Sequence, residues 1–172
     1  MDTIRLRVLQ AEVEAQLAKI EQVHDELENR AGQMQADHPG SIESTAYQLH
    51  NLYSAAEDLF KIVASAFENG VADLSRWHSE LLHRMALNIQ GVRPALLSPE
   101  SVKLLDELRA FRHLFRHAYL RRLEFYPVEQ NLDRARQLRL SLPRDVAHFW
   151  QQLADAPPEG DPPEGDPHEG EQ

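Results

Sequence analysis

Residues 42–67 carry an apolar stripe, Ile42, Ala46, Leu49, Tyr53, Ala56, Phe60, Val63 and Phe67, in alternating steps of four and three. That spacing follows the turn of an α-helix and sets every one of these side chains on one face. A helix with a wide apolar face has to bury it against other elements. The rest of the chain offers only more helices, because no segment shows the period-two alternation of β-branched residues that a strand needs. The chain is therefore expected to be all-α.

Four further helical segments follow from the same periodicity. Ile4, Val8, Val13, Leu17, Ile20, Leu27 and Met34 mark a long first helix ending at His38-Pro39-Gly40, and Ser41 is the expected N-cap of the striped helix, which closes at Asn69-Gly70. A shorter third helix, capped by Ser75, points Trp77, Leu81, Met85 and Asn88 inward and stops at Gly91 and Pro94. Ser98-Pro99-Glu100 supplies an N-cap, a first-turn proline and a first-turn acid for a fourth helix with the stripe Leu104, Leu108, Phe111, Phe115 and Ala118. A last helix from Pro127 keeps one stripe through Leu132, Ala135, Leu142, Val146, Phe149 and Leu153, with a kink expected at Pro143. Trp77, Trp150, Phe60 and Phe67 are assigned to the core. The expected architecture is an antiparallel four- to five-helix bundle.

With 172 residues, 42% of them hydrophobic, the chain suffices for one core and is thin for two. Residues 1–154 are read as a single helical domain. Residues 155–172 run PPEGD, PPEGD, PHEGE and read as a disordered acidic tail, since Pro, Glu, Gly and Asp cannot build a core. No apolar run is long enough to cross a membrane and the N-terminus lacks a signal-peptide core, so a cytoplasmic location without membrane association is expected. The absence of cysteine excludes disulfides, thiol catalysis and cysteine-held metals, and there is no Gly-rich phosphate loop.

The formal charge of −10 is unevenly placed: the tail holds seven acidic residues and no Lys or Arg. Residues 109–144 hold nine arginines (Arg109, Arg112, Arg116, Arg121, Arg122, Arg134, Arg136, Arg139 and Arg144) against Glu124, Glu129 and Asp133, a local balance of +6. Arginine's planar fork suits phosphate, while a solvated helix face gives the same composition. The acidic tail is read as a cover over this basic stretch.

Within that stretch, Phe111-Arg112-His113-Leu114-Phe115-Arg116-His117-Ala118-Tyr119 gathers Arg, His and Tyr beside apolar residues. Arginine offers a fixed cation for a phosphate and histidine a group that moves protons near neutral pH. An Arg followed by His after four to six residues occurs twice, at Arg112–His117 and Arg76–His83, and only the first has a Tyr two residues further on. On one ideal helix Arg112 and His117 diverge by about 140°, so they converge only if the helix is irregular or if two copies of the segment meet. Arg112 and Tyr119, seven apart, share a face.

The order Arg112, four residues, His117, one residue, Tyr119, with the polar His113 directly after the arginine, resembles the HEPN superfamily and more narrowly the HepT ribonuclease toxins. The likeness extends over about residues 45–153, including the aromatic-rich Glu124-Phe125-Tyr126 and Leu142-Pro143 ahead of Val146 and Phe149. The resemblance implies a homodimeric helical bundle and a metal-independent endoribonuclease acting on RNA, plausibly tRNA, with no cofactor. It implies Arg112 on the scissile phosphate and His117 in acid–base work, with His113, Arg116 and Arg109 in support. It also implies neutralisation by an MNT-type nucleotidyltransferase antitoxin that attaches AMP to Tyr119.

Other readings of the same residues stay open. Arg112 also fits an ion pair at the edge of an apolar stripe, His117 a solvated histidine, and Tyr119 a packing residue. His113 and His117 have the spacing of a two-histidine metal site, disfavoured by the surrounding Arg109, Arg112 and Arg116; a diiron bundle lacks a Glu-x-x-His pair beside His113. His78 and His83 are read as solvated. The alternative function is a non-catalytic HEPN-like module that dimerises and binds a partner or nucleotide.

Overall fold

A computed structural model describes residues 3–68, 74–116 and 123–155, with residues 74–79, Leu114 and Arg116 described by backbone alone. The chain forms five helices in the order α1 (Thr3–Ala31), α2 (Pro39–Phe67), α3 (Leu74–Met85), α4 (Pro99–Arg116) and α5 (Phe125–Asp155). No strand appears among the described residues, in accord with the all-α expectation, and none of the helices is long and apolar enough to cross a membrane.

The central rod is α2, which packs against all four other helices. Its stripe explains why: Ile42, Ala46, Leu49, Tyr53, Ala56, Phe60 and Val63 are buried, as are Leu52 and Leu59 on a widened face. The turn before it differs from expectation. His38, not Ser41, is the N-cap: its Nδ1 accepts the Ser41 N–H at 3.1 Å and Pro39 opens the helix. Ser41 instead binds the turn together, its hydroxyl accepting the Gln35 N–H at 3.0 Å and donating to the His38 carbonyl at 2.8 Å.

The first helix is shorter than its periodicity suggested. It stops at Ala31, Met34 lies beyond its end, and Ile4 and Val8 are exposed: Val8 stands about 100° around the helix from the buried Leu9, off the face that Leu9, Val13, Gln16 and Ile20 bury. Gln16 pins the two together by donating to the Ala55 carbonyl at 2.9 Å. Asn88, expected inside, is exposed beyond the end of α3, and Ser75 is inside α3, not its cap. The side chain of Trp77 and Asn69-Gly70 lie outside the described residues. Glu124-Phe125-Tyr126 leads straight into α5, which starts at Phe125 and runs without interruption through Pro143. Trp150 and Phe67 are only half-buried, edge-on to the buried Phe149.

Two polar devices fix the placement of α4. At its start the Ser98 hydroxyl accepts the Ser101 N–H at 3.3 Å, as an N-cap does, while the Ser98 N–H and hydroxyl both donate to Asp145 of α5 at 3.0 Å. Ser101 and Ser141 join α4 to α5 by a buried 2.8 Å hydrogen bond. The connection from α3 is held by Arg93, whose side chain is fully enclosed: it meets Glu68 at 2.8 Å and donates to the carbonyls of Arg84, Leu87 and Pro94. Arg84 adds a second pair with Glu68. The turn inside this loop, bridged between Ile89 and Arg93, needs the positive φ of 73° that Gly91 supplies.

Arg93→Ala leaves Glu68 with Arg84 alone and takes the buried donor from the carbonyls of Arg84, Leu87 and Pro94; it is expected to cost about 3–5 kcal/mol in urea unfolding, with a smaller loss when Glu68→Met accompanies Arg93→Met. A second expectation concerns His24, 3% exposed between α1 and α5. Burial, assisted by Arg139 and opposed by Glu21, Glu28 and Asp25, lowers its pKa from 6.5 to about 4. The unfolded chain then binds a proton in that window that the folded chain refuses. Stability is therefore intact above pH 6.5 and falls toward pH 4 by about 3 kcal/mol from this group. Urea unfolding across the window is expected to show a shallower pH slope for His24→Phe; equal slopes contradict a buried neutral imidazole.

Candidate functional site

The second half of α4 repeats polar residues at helical spacing, so that Arg109, Arg112, His113 and Arg116 run along one side of the helix. The opposite side, Leu104, Leu105, Leu108 and Phe111, is buried, with Phe115 half-buried beyond. Because α4 lies against α2, its polar edge falls beside three α2 side chains absent from the sequence-derived site: His50, Tyr53 and Glu57.

Arg112 is the centre of this contact. Its guanidinium carbon lies 5.5 Å from the centroid of the Tyr53 ring, in cation–π range. Its Nη1 is 3.6 Å from Oε2 of Glu57, an ion pair longer than a hydrogen bond. Its Nε is shut off from solvent with no hydrogen-bond partner among the described residues, and the side chain keeps 23% exposure. The arginine is thus held by a ring and a carboxylate, while part of its donor fork remains unsatisfied. The ion pair that the stripe-edge reading offered is present, with a carboxylate that is itself buried.

Tyr53 and Glu57 owe their positions to one turn of α2, and both are almost fully buried. Burial, together with the nearby Glu57 charge, pushes the Tyr53 hydroxyl up to about 12, so it stays a neutral phenol under the cation. Lys61, one turn further along α2, stands 3.9 Å from Glu57 and 2.8 Å from Asp58. An aromatic row continues the site: His50 stacks with Tyr47 at 6.5 Å and meets Phe115 at 5.8 Å, and Phe115 stacks with Phe111 at 6.5 Å.

The other expected residues are distributed as follows. His113 is exposed next to Arg112, and Arg109 is engaged by Asp106 at 2.7 Å, one turn before. The side chain of Arg116, and His117 and Tyr119 entirely, lie outside the described residues. From Arg112 to Arg116 the helix is regular.

Among the described residues, much of the arginine-rich stretch is ion-paired: Arg109 with Asp106, Arg112 with Glu57, Arg134 with Glu107, Arg136 with Glu28 and Asp133, and Arg139 with Glu21 and Asp25, five of its nine arginines. The local balance of +6 counted only acids inside the same stretch, whereas α1 and α2 bring others across. Among these five, Arg112 has the longest ion-pair distance.

One signal for Glu57 was present in the sequence: a carboxylate directly after Ala56 of the apolar stripe falls at the edge of a buried face and calls for a cation from another helix. That the cation is Arg112 required the packing of α4 on α2.

Neither a curated protein nor a solved structure shows significant similarity to the chain. The family model described as HepT-like protein matches residues 44–153, well over half of the sequence, and spans α2 from its second turn, α3, α4 and nearly all of α5. With that match on a five-helix bundle, the chain belongs to the HepT-like family of the HEPN superfamily.

Proposed function

We propose that this protein is a metal-independent endoribonuclease toxin whose cutting site is built on Arg112 and His117. The observation that carries the proposal is the state of Arg112: a partly exposed side chain, oriented by Tyr53 and Glu57, whose ion pair is longer than a hydrogen bond. Such a cation is preorganised for a phosphate, because its geometry is fixed before substrate arrives. Membership of the HepT-like family supports the same chemistry.

In the reaction, His117 takes the proton from a ribose 2′-hydroxyl, and the 2′ oxygen attacks the adjacent phosphorus. The bond from phosphorus to the 5′ oxygen breaks, that oxygen takes a proton from the imidazolium, and the 5′ product leaves a 2′,3′-cyclic phosphate on its neighbour. Arg112 balances the negative charge that builds on the non-bridging oxygens, with His113, Arg109 and Arg116 lining the approach. The divergence of about 140° between Arg112 and His117 on one helix is resolved by a homodimer in which each protomer's segment completes the other's cleft. A tRNA is the substrate class in this proposal.

Control follows from Tyr119. An MNT-type nucleotidyltransferase antitoxin transfers AMP to its hydroxyl, and the added phosphate and base occupy the space where the RNA backbone would lie. Protein co-expressed with that partner is expected to gain mass in multiples of AMP, with no gain for Tyr119→Phe.

Purified protein is expected to cleave RNA in the presence of EDTA. Arg112→Ala lowers the rate by about 10²–10³-fold, and His117→Ala removes detectable cleavage. Glu57→Gln, which leaves the guanidinium charge but removes the carboxylate that orients it, lowers the rate by about 10- to 100-fold. A folded dimer that turns over no RNA, and whose partner binding is unchanged by His117→Ala, identifies a non-catalytic binding module and contradicts the proposal.

A further inference from the structure

The aromatic row beside Arg112 runs outward from the site and ends in solvent. Its inner members stand next to the guanidinium: His50 lies one turn of α2 before Tyr53, the ring that Arg112 packs on, and Phe115 lies one turn of α4 after Arg112. His50 and Phe115 meet at 5.8 Å between the two helices, and Phe115 stacks in turn on the buried Phe111. At the outer end Tyr47 lies nearly parallel to His50, with ring centroids 6.5 Å apart and planes 24° from each other. Tyr47 is nevertheless 54% exposed. Its ring is thus held in one orientation by neighbours that reach back into the core, while more than half of the residue faces water. A tyrosine has few rotatable bonds, so a ring already placed in this way loses little entropy when a second flat group lies on it.

The surroundings of the ring decide what that group is. One turn to either side of Tyr47 on the helix surface stand Glu43, Ser44 and Asn51, all polar. The ring is therefore not part of an apolar patch of the kind that forms the centre of a protein–protein contact. Glu43 is an exposed carboxylate and repels phosphate, so a nucleic acid meets Tyr47 with a base and not with its backbone. The cation for the backbone is further in. Tyr47 and Tyr53 are six residues apart, about 9 Å of helix rise, so a ligand that reaches from Arg112 to Tyr47 is anionic at one end and carries a flat ring about one nucleotide away. A nucleotide of single-stranded RNA has this form, with its base free to leave its neighbours and stack on an aromatic side chain.

We propose that Tyr47, backed by His50, is a stacking platform for one unpaired base next to the linkage that Arg112 holds. The inference rests on the nuclease reading of Arg112 and adds to it a requirement on the substrate: the base beside the cut is unpaired, because a base inside a duplex is already stacked on its neighbours and cannot reach the ring. Stacking tolerates any base, so the platform selects an open strand and not a sequence.

The test reads binding apart from cutting, in full-length protein carrying His117→Ala. The probe is a short single-stranded oligouridylate containing one 2-aminopurine, whose fluorescence is quenched when the base stacks. Binding is expected to quench it. Tyr47→Leu, which keeps an apolar side chain at this exposed position and removes the ring, is expected to abolish the quench and weaken binding about tenfold, and Tyr47→Trp to restore both. The same strand annealed to oligoadenylate is expected to bind equally to the proteins with Tyr47 and with Leu at that position. Quench and affinity unchanged by Tyr47→Leu overturn the platform and leave the nuclease reading standing, since cutting by the protein with His117 intact is scored separately. Absence of RNA binding and of cutting overturns both. A change of oligomeric state on Tyr47→Leu, measured by light scattering, makes the ring a protein contact and also overturns the proposal.

Discussion

The proposed site depends throughout on how α4 lies on α2. One face of α4 is apolar and sinks against the central helix, which forces its polar edge alongside Tyr53 and Glu57. Arg112 is caught between a ring 5.5 Å away and a carboxylate 3.6 Å away. Neither contact saturates a guanidinium. Tyr53 offers only the face of a neutral ring, and the Glu57 pair is too long to count as a hydrogen bond. A tighter pair, such as Arg93 with Glu68 at 2.8 Å, is a structural clamp with its donors spent on carbonyls. The contrast between the two arginines is the difference between a residue that holds the fold and one that the fold holds ready.

Electrostatics across helices organise the remainder. Arg136 and Arg139 of α5 are matched by Glu28, Glu21 and Asp25 of α1, and Arg134 by Glu107 of α4. Pairs this exposed add little to stability singly. With the pairs of Arg109 and Arg112, they offset the charge of five of the arginines that the sequence concentrates in residues 109–144. In the proposed function, the phosphate is met by an oriented arginine.

The helical architecture was legible because periodicity reports burial directly: the α2 stripe is buried as its spacing demands, and Ser98-Pro99-Glu100 opens α4 at the expected residue. The boundaries were less legible where two local devices competed. Ser41 carries the side chain of an N-cap, yet His38 takes that role because Pro39 already fits the first helical turn. Ile4 and Val8 continue the apolar pattern of α1, but its buried face runs back from Val13 to Leu9, about 100° around the helix from Val8. For the site, Arg112 was visible through its spacing to His117 and Tyr119. That Tyr53, Glu57 and His50 lie beside it was not, because they stand more than fifty residues earlier in the chain and only tertiary packing brings them alongside. The arginine count misled for the same reason: acids on α1 and α2 are far away in sequence and adjacent in space.

The central claim is that the guanidinium and imidazole act on a ribose-phosphate linkage by recruiting the neighbouring 2′ oxygen. The most direct measurement pairs an RNA that the protein cuts at one position with the same RNA carrying a 2′-deoxy nucleotide on the 5′ side of that bond, both incubated in EDTA. The account predicts a 2′,3′-cyclic phosphate on the product of the first and an intact second strand. Cutting of the deoxy-substituted strand at the same bond contradicts it.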